Sequence, residues 1–327
     1  MTKIAIIGAG ISGLSAAHLL NNYAEITLFE KARGVSGRMS TRRAKSYFFD
    51  HGTQYFTART QPFKDFIRPL IEKKIIEPWN ARYLKFDGNQ IIERKNWMDE
   101  NPHYVGVPGM NEVGKYLAKN LNIHTDTKIV SIEHKKRWQL TDNEGHRYDG
   151  FDFLISTAPP PQTVELLPKT FKYYNNAKAI EMRACFSLML GFEKSLPLDF
   201  DAAQIENADL SWIAVNSHKP GRSEHYTLIA HSSEKYAEAH INDDHEEVMQ
   251  YLITEASRII GHDVSIADYK TIHRWRYANN SKREINPIFL DQDHKLAACG
   301  DWCLGGRVEG AFNSAYNLVN AIKGIVL

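Results

Sequence analysis

A glycine-rich turn near the amino terminus constrains the fold more than any other feature of this chain. The segment Lys3–Gly8 is a short run of β-branched and apolar residues, and it leads directly into the motif GAGISG at residues 8–13. Helical apolar spacing follows over Ile11–Asn21, and a second strand-like run covers Glu25–Glu30. A strand, a glycine turn, a helix and a second strand in this order are typical of a dinucleotide-binding βαβ unit.

Each glycine of the motif has its own task in such a unit. The first permits the tight turn, the second lets the backbone approach a pyrophosphate, and the third allows close packing of helix on strand. Glu30 ends the second strand, where an acidic side chain accepts hydrogen bonds from a ribose. The alternative is a turn without a ligand. We predict a nucleotide site at Gly8, Gly10, Ile11, Ser12, Gly13, Glu30 and Lys31.

Composition excludes several classes of protein. The 327 residues are 43% hydrophobic and 24% charged, which is typical of a globular chain of about two domains. The 40 basic and 39 acidic residues give a net charge of +1, so no overall field attracts nucleic acid or an anionic membrane. The 14 histidines show no metal-binding spacing. We expect a small-molecule partner and no nucleic acid, membrane or metal.

The cysteines and the apolar runs bear on the compartment. Cys185, Cys299 and Cys303 are an odd number in a long chain, which argues against a disulfide framework and for a reducing environment. The apolar run at residues 4–20 is interrupted by glycines and is too short to span a bilayer. We therefore expect a cytoplasmic protein.

The order of the elements predicts an α/β fold of two domains. Helices are predicted over Phe63–Ile76, Met110–Leu121, His245–Ile260 and Gly310–Lys323, and a strand over Lys295–Gly300. Residues 123–156 read as a β-meander, and three strand-like runs lie between Cys185 and Ser232. We predict a discontinuous Rossmann-type nucleotide-binding domain at residues 1–55, 104–165 and 290–327. A smaller mixed-sheet substrate domain takes residues 56–103 and 166–289.

Two further segments resemble the flavoprotein family that contains amine oxidases and renalases. Gly37-Arg38 follows the βαβ unit, and in that family such a pair lies beside the FAD phosphates, where an arginine fork bridges two oxygens. Near the carboxyl end, Gly300-Asp301 matches the family's FAD-binding strand end, and Glu309-Gly310-Ala311 matches the start of a helix that points at the flavin. Alternatively, these are a solvated basic loop, a turn and a packing glycine.

The resemblance implies non-covalently bound FAD and further contacts to it. Under this interpretation the remaining cofactor-binding residues are Gly37, Arg38, Met39, His51, Gly52, Val130, Gly300, Asp301, Glu309, Gly310 and Ala311. A plain NAD-dependent dehydrogenase is disfavoured, because it explains neither the Gly-Arg pair nor the carboxyl-terminal motif.

The runs FDHGTQYFTAR, HRWRYA and GDWCLGGRVEGAF resemble the bacterial branch of the renalase family. That resemblance implies a two-domain fold like p-hydroxybenzoate hydroxylase and monoamine oxidase. It also implies an oxidase that takes a hydride from the 1,2- and 1,6-dihydro isomers of NAD(P)H, forming NAD(P)⁺, and reduces oxygen to hydrogen peroxide. The alternatives are an amine oxidase or desaturase acting on a small amine or ring, and a redox-silent FAD-binding protein.

The sequence indicates the residues of the substrate pocket less clearly than those of the cofactor site. Gln54, Tyr55 and Trp275 are candidates to line the flavin, although ordinary packing accounts for each equally well. Amine oxidases typically carry a lysine near the flavin and an aromatic cage, and neither is found near residues 274–276 or 302–307. Arg274 and Arg276 instead suit the pyrophosphate of a dinucleotide, unless they form a solvated strand face. No general base is assigned, because hydride abstraction from a dihydronicotinamide needs none.

Overall fold

The structure is a computed structural model that describes residues 1–98, 100–280 and 286–326. Its strands are β1 (Lys3–Ile7), β2 (Glu25–Phe29), β3 (Arg42–Ala44), β4 (Tyr47–Phe49), β5 (Ile76–Pro78), β6 (Arg82–Asp87), β7 (Gln90–Asn96), β8 (Tyr104–Gly106), β9 (Asn122–His124), β10 (Ile129–His134), β11 (Trp138–Asp142), β12 (Arg147–Phe151), β13 (Phe153–Ser156), β14 (Met182–Phe192), β15 (Ala202–Glu206), β16 (Leu210–Val215), β17 (Tyr226–Ser232), β18 (Tyr269–Asn280), β19 (Phe289–Asp291) and β20 (Leu296–Ala298). The helices are α1 (Ile11–Leu20), α2 (Gln61–Glu72), α3 (Glu112–Leu117), α4 (Pro160–Leu166), α5 (Tyr174–Lys178), α6 (Glu234–His240), α7 (His245–Ile260) and α8 (Val308–Val326).

The first large sheet carries the glycine turn. Its strand order is β19-β20-β13-β1-β2-β9, with all neighbours parallel except β19 and β20. Alternating side chains of β1 enter two different cores, because successive residues of a strand point to opposite faces. Ile4 and Ile6 pack with α1 and α8, whereas Ala5 and Ile7 pack with the antiparallel meander β10-β11-β12. The sheet is therefore covered on both faces, as a parallel sheet requires.

The second large sheet is mixed and has the order β18-β14-β17-β16-β15-β6-β7. Only β15 and β6 run parallel. One face packs on α7, whose Val248, Leu252 and Ala256 share a core with Leu188 and Leu228 of the sheet. The opposite face turns toward the first sheet and forms one wall of the candidate active site.

Together these layers form a mixed α/β fold with two large sheets, as the sequence predicted. The predicted borders between a nucleotide-binding and a substrate domain remain a prediction. None of the helices in the described part of the chain combines the length and the apolar composition of a membrane span.

Several element boundaries differ from the sequence prediction. Helix α2 stops at Glu72 instead of residue 76, because Lys74 takes a left-handed conformation with a φ of +54° and β5 then pairs with β8. The predicted meander is split, since β9 and β13 join the parallel sheet and only β10–β12 form a meander. Strands β6 and β7 were not predicted, and β18 was considered only as a strand face at Arg274 and Arg276. The solvent-exposed β7 has no apolar alternation to reveal it.

Candidate active site

The glycine turn between β1 and α1 leaves its backbone open on one side. Gly8 closes the turn with a φ of +104°, which residues with a side chain rarely adopt. A Cβ on Gly13 would collide with the Gly8 carbonyl oxygen, whereas a Cβ on Gly10 would meet nothing within 4 Å. The first amides of α1 have no partner inside the helix. These amides and the open space fit an anionic group such as a pyrophosphate.

Glu30 is buried at the end of β2, and both oxygens of its carboxylate accept backbone hydrogen bonds. The Ala9 amide donates to Oε2 at 2.8 Å, and the Ala32 amide donates to Oε1 at 2.9 Å. The carboxylate therefore joins the glycine turn to the segment after β2. Lys31 and Val130, which were also predicted to contact the cofactor, are both exposed.

An ion pair joins two other segments that the sequence assigns to FAD. Arg38 donates to Asp301 through Nη1–Oδ2 at 2.9 Å and Nη2–Oδ1 at 2.5 Å, and Nη1 also donates to the Ala278 carbonyl at 2.9 Å. Gly37 lies against the glycine turn, since a Cβ on it would be 3.2 Å from the Gly10 Cα. The structure thus brings the predicted glycine turn, Gly-Arg pair and Gly-Asp pair to one place.

Helix α8 begins beside α1. The Ser12 hydroxyl donates to the Ala311 carbonyl at 2.8 Å. The Glu309 carboxylate, by contrast, accepts from the amides of Arg59 and Thr60 through Oε1 at 3.0 and 2.6 Å, just before α2. The Glu309 side chain therefore binds the backbone at the start of α2. Contact between this segment and the cofactor would then come from the backbone around Gly310.

The chain after β4 runs along the Gly-Arg loop. The Thr53 amide donates to the Arg38 carbonyl at 2.9 Å, and a Cβ on Gly52 would collide with that same carbonyl. Met39 is buried beneath the loop. His51 is also buried, and its ring stacks on Trp275 with 5.3 Å between the ring centroids. The segment around residues 51–54 therefore lies between the predicted FAD elements and the second sheet.

Asp50, Lys219 and Arg222 form a buried charge cluster at this junction. The Arg222 guanidinium donates to Asp50 Oδ2 at 2.5 Å, and Lys219 Nζ lies 3.4 Å from the same oxygen. The opposite oxygen, Oδ1, accepts from the Met110 amide at 2.9 Å and from the Thr41 hydroxyl at 2.7 Å. The side chains of the cluster are at most 1% exposed. Two cations therefore share one anion, which leaves a surplus positive charge in the interior.

Burial and charge act in opposite directions on the pKa values of this cluster. Removal from water raises the pKa of Asp50, but Lys219 and Arg222 outweigh it and hold that pKa at about 2. Burial lowers the pKa of Lys219 to about 8, although Asp50 opposes the change. Lys219 also donates to Gln54 Oε1 at 3.1 Å and lies 5.3 Å from the centre of the Trp79 ring. A lysine with a lowered pKa thus touches a predicted pocket residue.

Three histidines near Gln54 are held neutral. Burial is the main cause, and it lowers the pKa of His51 to about 3 and those of His231 and His273 to about 4. Nearby positive charge adds to the effect, from Arg42 on His51 and His273 and from Lys219 on His231. The Gln54 amide nitrogen donates to the Asp50 and Gly52 carbonyls at 2.5 and 3.0 Å and lies 3.4 Å from His231 Nε2. The candidate site is therefore neutral or cationic on this side.

The structure separates Arg274 and Arg276 from Trp275. Trp275 faces His51 and donates from Nε1 to its carbonyl at 2.9 Å. Arg274 lies on the other face of β18, over the Phe186 ring, and donates to the Asp243 carbonyl at 2.6 Å. Arg276 reaches Asn242 on the same side. Alternation along the strand puts both arginines on the helix-covered face, so the structure gives no support to the prediction that they line the pocket.

A cluster of rings lies on the other side of Gln54. Tyr55, Trp97, His103 and Trp212 form this ring cluster, with centroid distances of 4.8 Å from Tyr55 to both Trp97 and His103 and 5.6 Å from Tyr55 to Trp212. Trp97 and His103 stack in parallel at 3.8 Å. The indole nitrogen of Trp212 is buried without a hydrogen-bond partner in the described part of the chain. The cluster therefore has flat apolar surface at the half-buried Tyr55 and Trp212, and one buried donor that no described residue accepts from.

Comparison with known protein families decides the class of the protein. Residues 6–70 match the NAD(P)-binding Rossmann-like domain, and residues 69–323 match the flavin containing amine oxidoreductase model. The second match covers well over half of the chain. The chain belongs to the flavin-containing amine oxidoreductase family. It is therefore an FAD-dependent oxidoreductase, as the sequence predicted.

Individual relatives agree with the family but are distant. A 4,4'-diapophytoene desaturase of Staphylococcus aureus (strain Newman) is 37% identical over 76 residues, which are 20% of this chain and 15% of the desaturase. The match thus spans about a seventh of that relative. The desaturase of strain MRSA252 is 45% identical over 51 residues, 15% of this chain and 10% of that protein.

Solved structures of low identity share the fold. A protein of Exiguobacterium sp. 255-15, provisionally assigned as a protoporphyrinogen oxidase, superposes with a TM-score of 0.78 at 13% identity and covers 98% of both chains. Reduced UDP-galactopyranose mutase gives 0.78 at 12%, covering 99% of this chain and 96% of the other. A putrescine oxidase variant gives 0.72 at 12%, covering 99% of both. These likenesses establish a two-domain flavoenzyme fold.

The described residues fit FAD. The open space at Gly10, the free amides at the start of α1 and the buried Glu30 carboxylate suit a pyrophosphate and a ribose. Arg38 and Asp301 lie at the same end of the sheet. Which of these side chains contact the cofactor stays a prediction.

Sequence reasoning missed Lys219, Arg222, His231, Trp97 and Trp212. The sequence argument from a missing lysine and aromatic cage considered residues 274–276 and 302–307 alone, and the structure adds Lys219, which donates to Gln54, and the ring cluster around Tyr55. None of these residues lies in a local motif. Alternation within the strand-like runs could have predicted which face of its own strand Trp212 and His231 each occupy. It could not have predicted that the two residues lie opposite one another, because that depends on strand register.

Proposed function

We propose that this protein is an oxidase of renalase type. The substrates are the 1,2- and 1,6-dihydro isomers of NAD(P)H, which lose a hydride and become NAD(P)⁺. FAD, when bound, would accept that hydride and pass its two electrons and proton to oxygen, which takes one further proton from water and leaves as hydrogen peroxide. The proposal is supported by the resemblance of FDHGTQYFTAR and GDWCLGGRVEGAF to bacterial renalases.

The surplus positive charge at the candidate site carries the proposal. Asp50 is shared by Lys219 and Arg222 in a region without solvent. The other carboxylates nearby are engaged, since Asp301 pairs with Arg38 and Glu309 accepts from the start of α2. A buried positive charge repels a protonated amine and attracts the phosphates of a dinucleotide. It also stabilises the negative charge that a hydride brings into the site.

Residues of the chain would orient the substrate without exchanging protons with it. Lys219 donates to the oxygen of the Gln54 carboxamide, and the Asp50 and Gly52 carbonyls accept from its nitrogen, so this amide has one fixed orientation. His51, His231 and His273 remain neutral at physiological pH and do not add charge to the site. Oxidation of a dihydronicotinamide requires no general base, which agrees with the lack of an assigned one.

Amine oxidation is the second candidate, and two observations favour it. Lys219 has a lowered pKa beside Gln54, and the half-buried rings of Tyr55 and Trp212 suit an apolar amine. Amine oxidases have the same two features near the flavin. The surplus cation still disfavours a charged amine, so this candidate requires the neutral form of its substrate.

An anaerobic stopped-flow experiment tests the proposal. The FAD-loaded protein is mixed with 1,2- and 1,6-dihydro isomers of NADH, with ordinary NADH, and with a panel that contains benzylamine and putrescine. Flavin absorbance is followed near 450 nm, roughly where bound oxidised flavin absorbs. We expect rapid bleaching by the isomers alone and peroxide once air is admitted. Bleaching by an amine alone would establish the second candidate, and failure of all of them to bleach would refute both.

An Arg274→Gln variant serves as a matched control in the same experiment. Arg274 lies on the helix-covered face of β18, so its loss should leave the bleaching rate by the isomers unchanged within about twofold. A large loss of rate would mean that the arginine reaches the pocket after all.

A further inference from the structure

Arg307 lies in an unusual backbone conformation at the start of α8. Its φ is +71°, and it follows Gly305 and Gly306, whose φ values are +76° and +83°. Glycine adopts this left-handed region without strain, whereas an arginine does so at a cost because of its Cβ. A strained residue that is kept by its surroundings is often part of a functional site. The arginine side chain is thus held at a position where a third glycine would fit better.

The loop that carries Arg307 is fixed at both ends by residues of the candidate site. The Gly306 amide donates to the Asp301 carbonyl at 2.8 Å, and Asp301 itself pairs with Arg38. On the other side, the Glu309 carboxylate holds the amide of Thr60 at 2.6 Å. These hydrogen bonds fix the backbone on both sides of Arg307. They hold the residue in its strained conformation and define the position from which its side chain extends.

Arg307 lies at the boundary between the predicted cofactor-binding elements and the ring cluster. The positive charge of Arg307 acts on the Tyr55 hydroxyl, where it opposes the rise in the pKa of Tyr55 that burial causes. The Ser12–Ala311 bond at 2.8 Å puts the start of α8 next to the glycine turn. Arg307 is thus close to the ring cluster through Tyr55 and to the nucleotide turn through α8.

The guanidinium of Arg307 is free to bind a ligand. It is exposed, and within residues 1–98, 100–280 and 286–326 it makes no hydrogen bond and no ion pair. Arg38 and Arg222, which border the same site, each bind a carboxylate already. An arginine in a strained backbone conformation and without an acidic partner is suited to a bidentate anion such as a phosphate.

We propose that Arg307 binds a phosphate of the dinucleotide substrate and so selects phosphorylated over unphosphorylated dihydronicotinamides. This inference rests on the proposed function, and it replaces Arg274 and Arg276 as the source of the phosphate contact. The ring cluster beside Tyr55 offers flat surface to the planar parts of the same molecule.

The test compares two variants with two substrates. Arg307→Gly removes the charge and the backbone strain together, and Arg307→Lys keeps the charge without the planar fork. The substrates are the dihydro isomers of NADH and the corresponding isomers of reduced nicotinamide riboside, which have no phosphate. Lys74→Gly is the matched control, because Lys74 is also an exposed cation with a left-handed φ, of +54°, far from the site in the turn after α2.

We expect Arg307→Gly to raise KM for the dinucleotide isomers by about 10- to 100-fold, the usual effect of losing a charged hydrogen bond. Its kcat should stay within about twofold, and its KM for the riboside isomers should not change. Arg307→Lys should fall between, and Lys74→Gly should match the parent. The thermal unfolding temperature of Arg307→Gly should be equal to or above that of the parent, because strain is relieved.

Other outcomes would overturn the inference. An unchanged KM for the dinucleotide, or an equal rise for both substrates, would mean that Arg307 does not contact phosphate. A titration with NAD⁺, which is not turned over, provides a second measurement and is monitored by the change in flavin absorbance. The affinity for NAD⁺ should fall in Arg307→Gly by the same factor as KM rises. If the parent protein is not reduced by either isomer, the proposed function fails by itself. The NAD⁺ titration then decides on Arg307, since equal or absent binding in both proteins would refute its role.

Discussion

The polar groups of the glycine turn are left without a protein partner, whereas those of the charge cluster bind one another. At the turn, backbone amides and open space beside Gly10 are left for a ligand. In the cluster, Asp50, Lys219 and Arg222 bind one another directly and are buried, so the surplus positive charge acts on a ligand only from a distance. The turn is formed by residues within six positions of each other, whereas the cluster joins segments about 170 residues apart. Residues that are close in sequence therefore form the glycine turn of the cofactor site, and contacts between distant segments form the wall that faces it.

The largest effect is expected from breaking the cluster. Asp50→Asn keeps the shape of the side chain but leaves Lys219 and Arg222 buried without their anion. Removing one partner of a buried ion pair costs about 3–5 kcal/mol of the free energy of unfolding. Urea unfolding of the FAD-loaded protein measures the loss. A second change, Lys219→Met, should recover part of it by removing one of the uncompensated charges.

Asp199→Asn is the matched control for that experiment. Asp199 pairs with Arg94 at 2.7 Å, but both side chains are more than half exposed. Such a surface pair contributes about 0–1 kcal/mol. Equal losses in Asp50→Asn and Asp199→Asn would contradict the picture of a dry, mutually dependent cluster.

A pair of glycine substitutions sharpens the description of the turn. Gly13→Ala forces a Cβ against the Gly8 carbonyl, so we expect the FAD-free protein to lose about 1–3 kcal/mol of the free energy of unfolding. Gly10→Ala meets nothing within 4 Å, so its FAD-free stability should be unchanged, while its FAD affinity falls about tenfold or more. Urea unfolding and an FAD titration by flavin fluorescence separate the two effects. Full FAD affinity in Gly10→Ala would place the pyrophosphate elsewhere.

The sequence could predict those features that depend on short stretches of chain. The GAGISG turn, its two strands, helix α8 and the FAD cofactor were all inferred from motifs whose residues are neighbours. The family match confirms the cofactor and the enzyme class. Boundaries were less certain, because a single left-handed residue such as Lys74 ends a helix without any apolar signal.

The wall of the pocket could not be predicted, because it depends on strand register. Trp275 and Arg274 are adjacent in sequence, yet β18 directs Trp275 to His51 and Arg274 to Asp243. The sequence interpretation named Arg274, Trp275 and Arg276 together as pocket candidates. Only the pairing of β18 with β14, with Cys185 opposite Trp275 and Phe186 opposite Arg274, decides which face each side chain takes. Phe186 belongs to the core under α7, so Arg274 follows it there.

The effect that is smallest near neutral pH is a pH dependence of stability that arises from the neutral histidines of the wall. His51, His231 and His273 have pKa values of about 3, 4 and 4 in the folded protein, below the usual 6.5. Between pH 6.5 and about 4 the unfolded chain therefore binds protons that the folded protein does not. The free energy of unfolding falls as the pH is lowered through this window, by up to about 1.4 kcal/mol per pH unit for each histidine. Above pH 6.5 the contribution is complete.

A His231→Asn variant isolates one of these contributions. Urea unfolding at several pH values between 4 and 7 should give a slope lower than that of the parent by up to about 1.4 kcal/mol per pH unit. His134→Asn is the control, because His134 is exposed on β10. Since Lys219 helps to keep His231 neutral, Lys219→Met should also reduce the slope, though by less. A parental slope in His231→Asn would mean that His231 titrates in the folded protein, and the wall would then gain charge in mild acid.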